Sequence, residues 1–466
     1  MKRFFWLGCV LLFYVICSGC GDTFRPIIIP NPPTFPDPRA AHTAVSINDN
    51  GTIAQGSAMV VDVSGDSDVS VANVGLVPVY AVQQTASQVL VVNHSVAGAL
   101  ADSITKLSFN SVIISNASTI SLPANSAPNF VAVAPSDTTA YVTLPNYVPD
   151  PTTGVVVPSI GVVSTVSNNT LAILPVGNNP DAIAVMPDKT KFYVANQGSN
   201  SISAFNTIDR SPRAITGSFN APLWVVARSD NQRVYVLNGN GVVSTIDTTS
   251  TAGPDNVIDA SVTVPGAAYM VYDGNLNRLY IPGGTQLTIL DVSQSTPVVL
   301  TGGPIPIPTV PSGSRLPFDP CSATGAQSLT VVAVTALPDG SRAYVGAFYT
   351  DASDNVCPQV TVIDAASNTV KSSIPVPGFP DATNPATLYY APVCTPARSR
   401  FRFMMAAGGD SSRAYLASCD GGNVNIIDTS NDTYIQNLLA PVGSRAPIPP
   451  SPLNPPQNPV FLFAGP

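Results

Sequence analysis

The chain is 466 residues long, carries a net charge of −8 and has only 10% charged residues, against roughly a quarter in average globular domains. All 28 acidic residues are Asp, and Lys occurs five times. A nucleic-acid binder shows a basic face or stripe, so this balance excludes nucleic acid as a partner. Glu and Lys favour helices, whereas Val and Thr favour strands and Asp and Asn favour turns. The composition therefore predicts strands and turns with almost no helix.

Lys2 and Arg3 precede an apolar run from Phe4 to Ile16, followed by Cys17-Ser18-Gly19-Cys20. A basic start, a short apolar core and small residues before the cut describe a secretory signal. The run is shorter than the roughly 20 residues that span a bilayer. Small residues directly before a cysteine resemble the bacterial lipobox, although Cys17 stands where that pattern prefers an aliphatic residue. The resemblance implies a lipoprotein signal over 1–19 and lipidation of Cys20. The membrane is then reached through acyl chains alone, and the protein is exported to the periplasmic or surface side of a bacterial envelope. Residues 20–40 hold Pro26, Pro30, Pro32, Pro33, Pro36 and Pro38, which predicts an extended, semi-rigid tether.

From 41 to 466 the chain repeats. The clearest unit, 180–206, reads PDAIAVMPDKTKFYVANQGSNSISAFN: an apolar strand, a Pro-Asp turn, a Tyr-Val strand, an Asn/Gly turn and an alternating strand. Short runs between turn clusters at steady intervals signal antiparallel all-β architecture. First strands are predicted at 78–82, 129–133, 181–185, 222–226, 267–271, 331–335 and 402–406. Second strands follow as QVLVVN, TAYVTL, KFYVAN, RVYVLN, RLYIPG, RAYVGA and RAYLAS. Pro-rich insertions occupy 145–158 and 303–327. Three strands near 42–74 lack a first strand, and PVFLF at 459–463 is a first strand with nothing after it. Joined, they complete one more unit and leave no exposed sheet edge. The expected fold is a β-propeller of four-stranded antiparallel blades, eight by this count with seven as the alternative, closed by both chain ends.

The units resemble the YVTN-repeat propellers, also described as surface-layer or lactonase-like propellers. Tyr193-Val194-Ala195-Asn196 matches the naming motif, Pro187-Asp188 and Pro338-Asp339-Gly340 match the turn before it, and Ile246-Asp247, Ile363-Asp364 and Ile427-Asp428 match its closing residues. The resemblance is specific for fold and weak for function. The recurring Asp and Asn residues are read as turn caps. Tyr193, Tyr235, Tyr280, Tyr344 and Tyr415, at one repeat position, are read as inter-blade packing.

Cys321, Cys357, Cys394 and Cys419 permit three disulfide pairings. Cys321 with Cys357 and Cys394 with Cys419 are the most local. Free thiols or a metal site are the alternatives, but no CxxC spacing occurs and no His is near. Acid–base catalysis draws on His or tuned carboxylates, and His42 and His94 stand apart from any nucleophile or metal partner in sequence. Asp62, Asp66 and Asp68 lack the closing Glu of an EF-hand. No phosphate loop or cofactor motif is present, so no catalytic residue, metal or cofactor is assigned. Arg398, Arg400 and Arg402 alternate at the entry to a first strand, where residues two apart share a face. They are a candidate anion site at the channel mouth, against an ordinary solvated cluster. The leading expectation is a monomeric, envelope-anchored binding or scaffolding module for a protein or glycan. A lactonase-type hydrolase and a structural surface-layer component are the rivals.

Overall fold

The computed structural model describes residues 43–440 and 456–464, apart from 53, 63–65, 86, 95–101, 111–112, 314, 317–318, 381–393 and 395–400. Cys20, the Pro-rich segment, His42, Arg398 and Arg400 lie outside the described residues. Eight antiparallel sheets, each four strands at its core, form an eight-bladed propeller. Among the described residues the helical content is one 3-10 turn, Gln197–Ser199.

Blade 1 is the closure. Its innermost strand, Asn458–Ala464, pairs antiparallel with Thr43–Asp49, which continues outward to Gln55–Asp62 and Ser67–Leu76. The innermost strands of blades 2 to 8 are Pro78–Thr85, Val131–Val133, Pro180–Val185, Pro222–Ala227, Val271–Asp273, Thr330–Ala336 and Phe403–Ala407. One expectation is displaced. The strand placed at 267–271 pairs only from Val271 to Asp273. The preceding Tyr269 turns inward, and its hydroxyl accepts the Val334 N–H at 2.7 Å. The backbone just before Val271 makes no ladder pair with the second strand.

Burial explains the patterning. Second strands such as Lys191–Asn196 are buried at every position, because neighbouring blades cover both of their faces. They read as continuous apolar runs for that reason. Outer strands such as Thr433–Leu439 alternate between half-buried and exposed. The Asn closing the second strand is structural. Asn93, Asn196 and Asn238 are buried and donate across to Thr105 at 3.0 Å, Ser203 at 2.9 Å and Ser244 at 2.9 Å. The Asp ending the third strand caps its turn: Asp247, Asp291 and Asp428 accept the N–H two residues on, at 2.9, 2.9 and 2.8 Å.

Candidate functional site

Antiparallel connectivity sorts the loops onto two rims. First-to-second and third-to-fourth connections share the lower rim; second-to-third connections and blade-to-blade crossings share the upper. The insertion at 145–158 joins a second to a third strand, and the one at 303–327 joins blade 6 to blade 7. Both insertions fall on the upper rim. Thr43 begins a second strand and Ala464 ends a first strand, so both residues fall on the lower rim.

The axis is occupied by aromatic side chains from the inner strands and the crossings that feed them. Tyr80 stacks on Phe130 with centroids 4.1 Å apart and meets Phe461 at 4.4 Å. Trp224 of blade 5 reaches Tyr80 of blade 2 at 6.4 Å and Phe401, which leads into blade 8, at 6.0 Å. Tyr269 closes on Phe401 at 5.2 Å. Such offset and edge-on pairs are favourable beyond the area they bury. Rings from blades three apart touch, so the axis here is packed core rather than a polar channel.

Among the described residues, cations recur at one position in the seams between blades. Lys191, Arg233, Arg278, Arg342 and Arg413 each open a second strand, two residues before its buried tyrosine. Each reaches the third-to-fourth connection of the next blade. Lys191 Nζ lies 3.1 Å from Asp255 Oδ1, which also takes Arg213 at 3.3 Å, while the Tyr193 hydroxyl donates to Asp255 Oδ2 at 2.7 Å. Asp432 gathers Arg342 at 2.6 Å, Lys371 at 2.7 Å and the Tyr344 hydroxyl at 2.5 Å. Arg413 forks onto Asp66 at 2.8 and 3.1 Å, which accounts for one member of the Asp62, Asp66, Asp68 group. Arg278 donates to the Ala365 carbonyl at 2.7 Å and Arg233 to that of Ser295 at 3.2 Å. The tyrosines pack between blades as the repeat implied. The cation two residues earlier was legible as a recurring K/R-x-Y and is the signal the sequence reading passed over.

The upper rim carries both cross-links. Cys321 bonds Cys357 and Cys394 bonds Cys419, the two local pairings. The Cys321 and Cys357 sulfurs lie with an oxygen of Asp351 within 4.8 Å of one another. The sulfurs are joined, and the Asp351 carboxylate accepts the N–H groups of Ser322, Ser353 and Asn355, each at 2.9 Å. That carboxylate caps the loop. Arg402 donates to buried Asp420 at 2.6 Å and lies 5.1 Å from the Phe348 ring centroid. His94 Nδ1 stands 3.6 Å from Asp102 Oδ1, and the other oxygen of that buried carboxylate accepts from the Ser126 hydroxyl at 3.1 Å. Ser, His and Asp thus meet. A nucleophilic relay needs the imidazole beside the hydroxyl, and here the carboxylate stands between them. Asn125 and Ala127, on either side of Ser126, sit at φ 56° and 53°, a strained turn held by Asp102 accepting the Ala127 N–H at 3.0 Å.

These charges set the pH response. Burial alone would raise the carboxyls of Asp351 and Asp432. Their hydrogen bonds, with the cations around Asp432, outweigh it and hold both below the ordinary value. A folded-state value below the unfolded one, about 3.9, stabilises the fold above that pH, and the gain is lost as pH falls through the folded value. Thermal melting is therefore expected to be level from pH 7 to 5 and to drop below about pH 4. A drop already between pH 7 and 5 would contradict this. Tyr141 and Tyr235, pushed up to about 12 mainly by burial, add a loss on the alkaline side above their unfolded value of about 10.

No family model matches the chain, and no curated protein sequence matches it. Solved structures do. A functionally unknown protein from Desulfotomaculum acetoxidans DSM 771 is 9% identical with a TM-score of 0.50, covering 91% of this chain and 100% of that one. Apo AztD from Citrobacter koseri is 10% identical with a TM-score of 0.57, covering 91% and 98%. Dihydro-heme d1 dehydrogenase NirN, in complex with DHE, is 12% identical with a TM-score of 0.53, covering 88% and 75%. At such identities the likeness establishes the propeller fold and nothing of the chemistry.

Proposed function

We propose that this chain is an envelope-anchored propeller of YVTN-repeat character that binds or scaffolds a protein or glycan on its upper rim. The carrying observation is the division of the molecule. Aromatic rings occupy the axis, the insertions 145–158 and 303–327 and both disulfides gather on one rim, and Thr43 and Ala464 sit on the other. A tether from a lipidated Cys20 through residues 20–40 would join the lower rim at Thr43 and turn the upper rim away from the bilayer. Loops on a rigid scaffold are where binding residues concentrate.

The test places a photo-crosslinking residue at exposed upper-rim positions 240 and 353 and at lower-rim Ile208, which is 91% exposed. In native membranes the upper positions are expected to yield specific adducts and Ile208 none. Equal yields would overturn the reading. Cys20→Ala is expected to move the protein from the membrane to the soluble fraction, and retention would remove the lipid anchor. The His94–Asp102 pair motivates one rival, a lactonase-type hydrolase. Turnover of sugar lactones that His94→Ala abolishes would favour it.

A further inference from the structure

The insertion 145–158, PNYVPDPTTGVVVP, is a braced hairpin. Val157 N–H donates to the Tyr147 carbonyl at 2.8 Å across its base, and Thr153 and Gly154 donate to the Asp150 carbonyl at 3.2 and 3.1 Å at its tip. Asn146 N–H ties it to the Ser126 carbonyl at 3.0 Å. Pro145, Pro149, Pro151 and Pro158 fix their own φ angles. Beyond the tip, Val155 and Val156 are 59% and 49% exposed and adjacent. The hydrogen bonds and prolines hold this segment in one shape with both side chains in solvent, so little ordering entropy remains to be lost on binding.

We infer that this hairpin is the principal anchor of the upper rim, and that its occupant is a protein presenting an apolar cleft bordered by basic side chains. The inference rests on the upper-rim reading above and narrows it. Two adjacent aliphatic groups held out by a braced segment leave apolar surface that a cleft could cover, which is favourable in proportion to the area buried. The one charge of the hairpin is Asp150, fully exposed, its carboxyl held low by the Thr152 hydroxyl and N–H. It complements a basic border, as does the net charge of −8. A bilayer is the poorer occupant. Segments that lie in membrane interfaces present Trp, Phe or Leu with Lys or Arg, and this tip has none of these. An ionised Asp is repelled by anionic headgroups.

The full chain in native membranes, carrying the photo-crosslinking residue at Val155, provides the test. The expected result is a protein adduct at 155 whose yield falls about tenfold with Val156→Asp and also falls in high salt. Both side chains are exposed, so folding is not at stake, and an unchanged melting temperature verifies that. Phospholipid adducts at 155, or flotation of the chain lacking its anchor (Cys20→Ala) with phosphatidylglycerol vesicles, would overturn the inference in favour of a membrane. Adducts at 240 and 353 without one at 155 would overturn the hairpin and leave the upper-rim reading standing. No adduct at 155, 240 or 353 would overturn both.

Discussion

Ending the chain at Gln457 is expected to abolish cooperative folding. The strand removed, Asn458–Ala464, is the innermost strand of blade 1 and the clasp of the ring. Val460, Phe461 and Leu462 are buried within it, and Phe461 belongs to the axial aromatic group through Tyr80 at 4.4 Å. Burying each such side chain contributes about 1.5–3 kcal/mol. The three together rival the roughly 5–15 kcal/mol by which a domain is stable at all. An open repeat array loses one unit and keeps the rest. A ring that loses its clasp exposes the inner edge of Thr43–Asp49 and one side of the axial packing at once. Loss of the sigmoidal urea transition, with gain of dye-accessible apolar surface, is the expected readout; a cooperative transition within 2 kcal/mol of the intact chain would contradict the argument. A circular permutant that links residue 464 to residue 43 and opens at Asn240 is expected to fold. Both residues already sit on the lower rim, where the linker would supply the missing first-to-second connection of blade 1.

Asp255→Ala is expected to have the largest effect of any single substitution in the seams. Asp255 is fully buried, and the Lys191 and Arg213 side chains facing it are 9% and 7% exposed. Removing the carboxylate leaves the two cations in the seam between blades 4 and 5 with neutral carbonyl partners alone, and it takes the acceptor from the Tyr193 hydroxyl. Breaking a buried pair from one side costs about 3–5 kcal/mol, whereas replacing the whole set by apolar groups is often neutral. Lys191→Met with Arg213→Met is therefore expected to restore most of the stability lost in Asp255→Ala. Urea is the proper denaturant, because guanidinium chloride would screen the charges. A loss under 1 kcal/mol would mean that solvent reaches the seam. Lys371→Ala is the contrast. That side chain is 44% exposed, and exposed pairs contribute only about 0–1 kcal/mol.

Much of this architecture was legible in advance. The strand–turn–Tyr-Val–turn cycle marked the units, and the mismatch between an N-terminal unit lacking its first strand and PVFLF at 459–463 marked the closure. The local cysteine pairs were legible because each lies within a few strands of its partner. The displaced strand at 267–271 shows the limit. Its apolar pattern is genuine, with Ala267, Tyr269 and Met270 all buried, but burial came from an inward turn toward Val334 and not from ladder pairing. Periodicity reports which residues leave water and is silent on what they then touch.

The amino-acid order by itself marked the repeating units and the way the ring closes, since these follow from local alternation, turn chemistry and repeat spacing. Only the tertiary structure decided what meets across the ring. Asp255 lies 64 residues from Lys191 and 42 from Arg213, and Trp224 touches rings from blades three away on either side. The opposition of the hairpin rim to the rim of Thr43 and Ala464 is of the same kind. Such contacts depend on the curvature of eight packed blades, and no window of sequence contains that curvature.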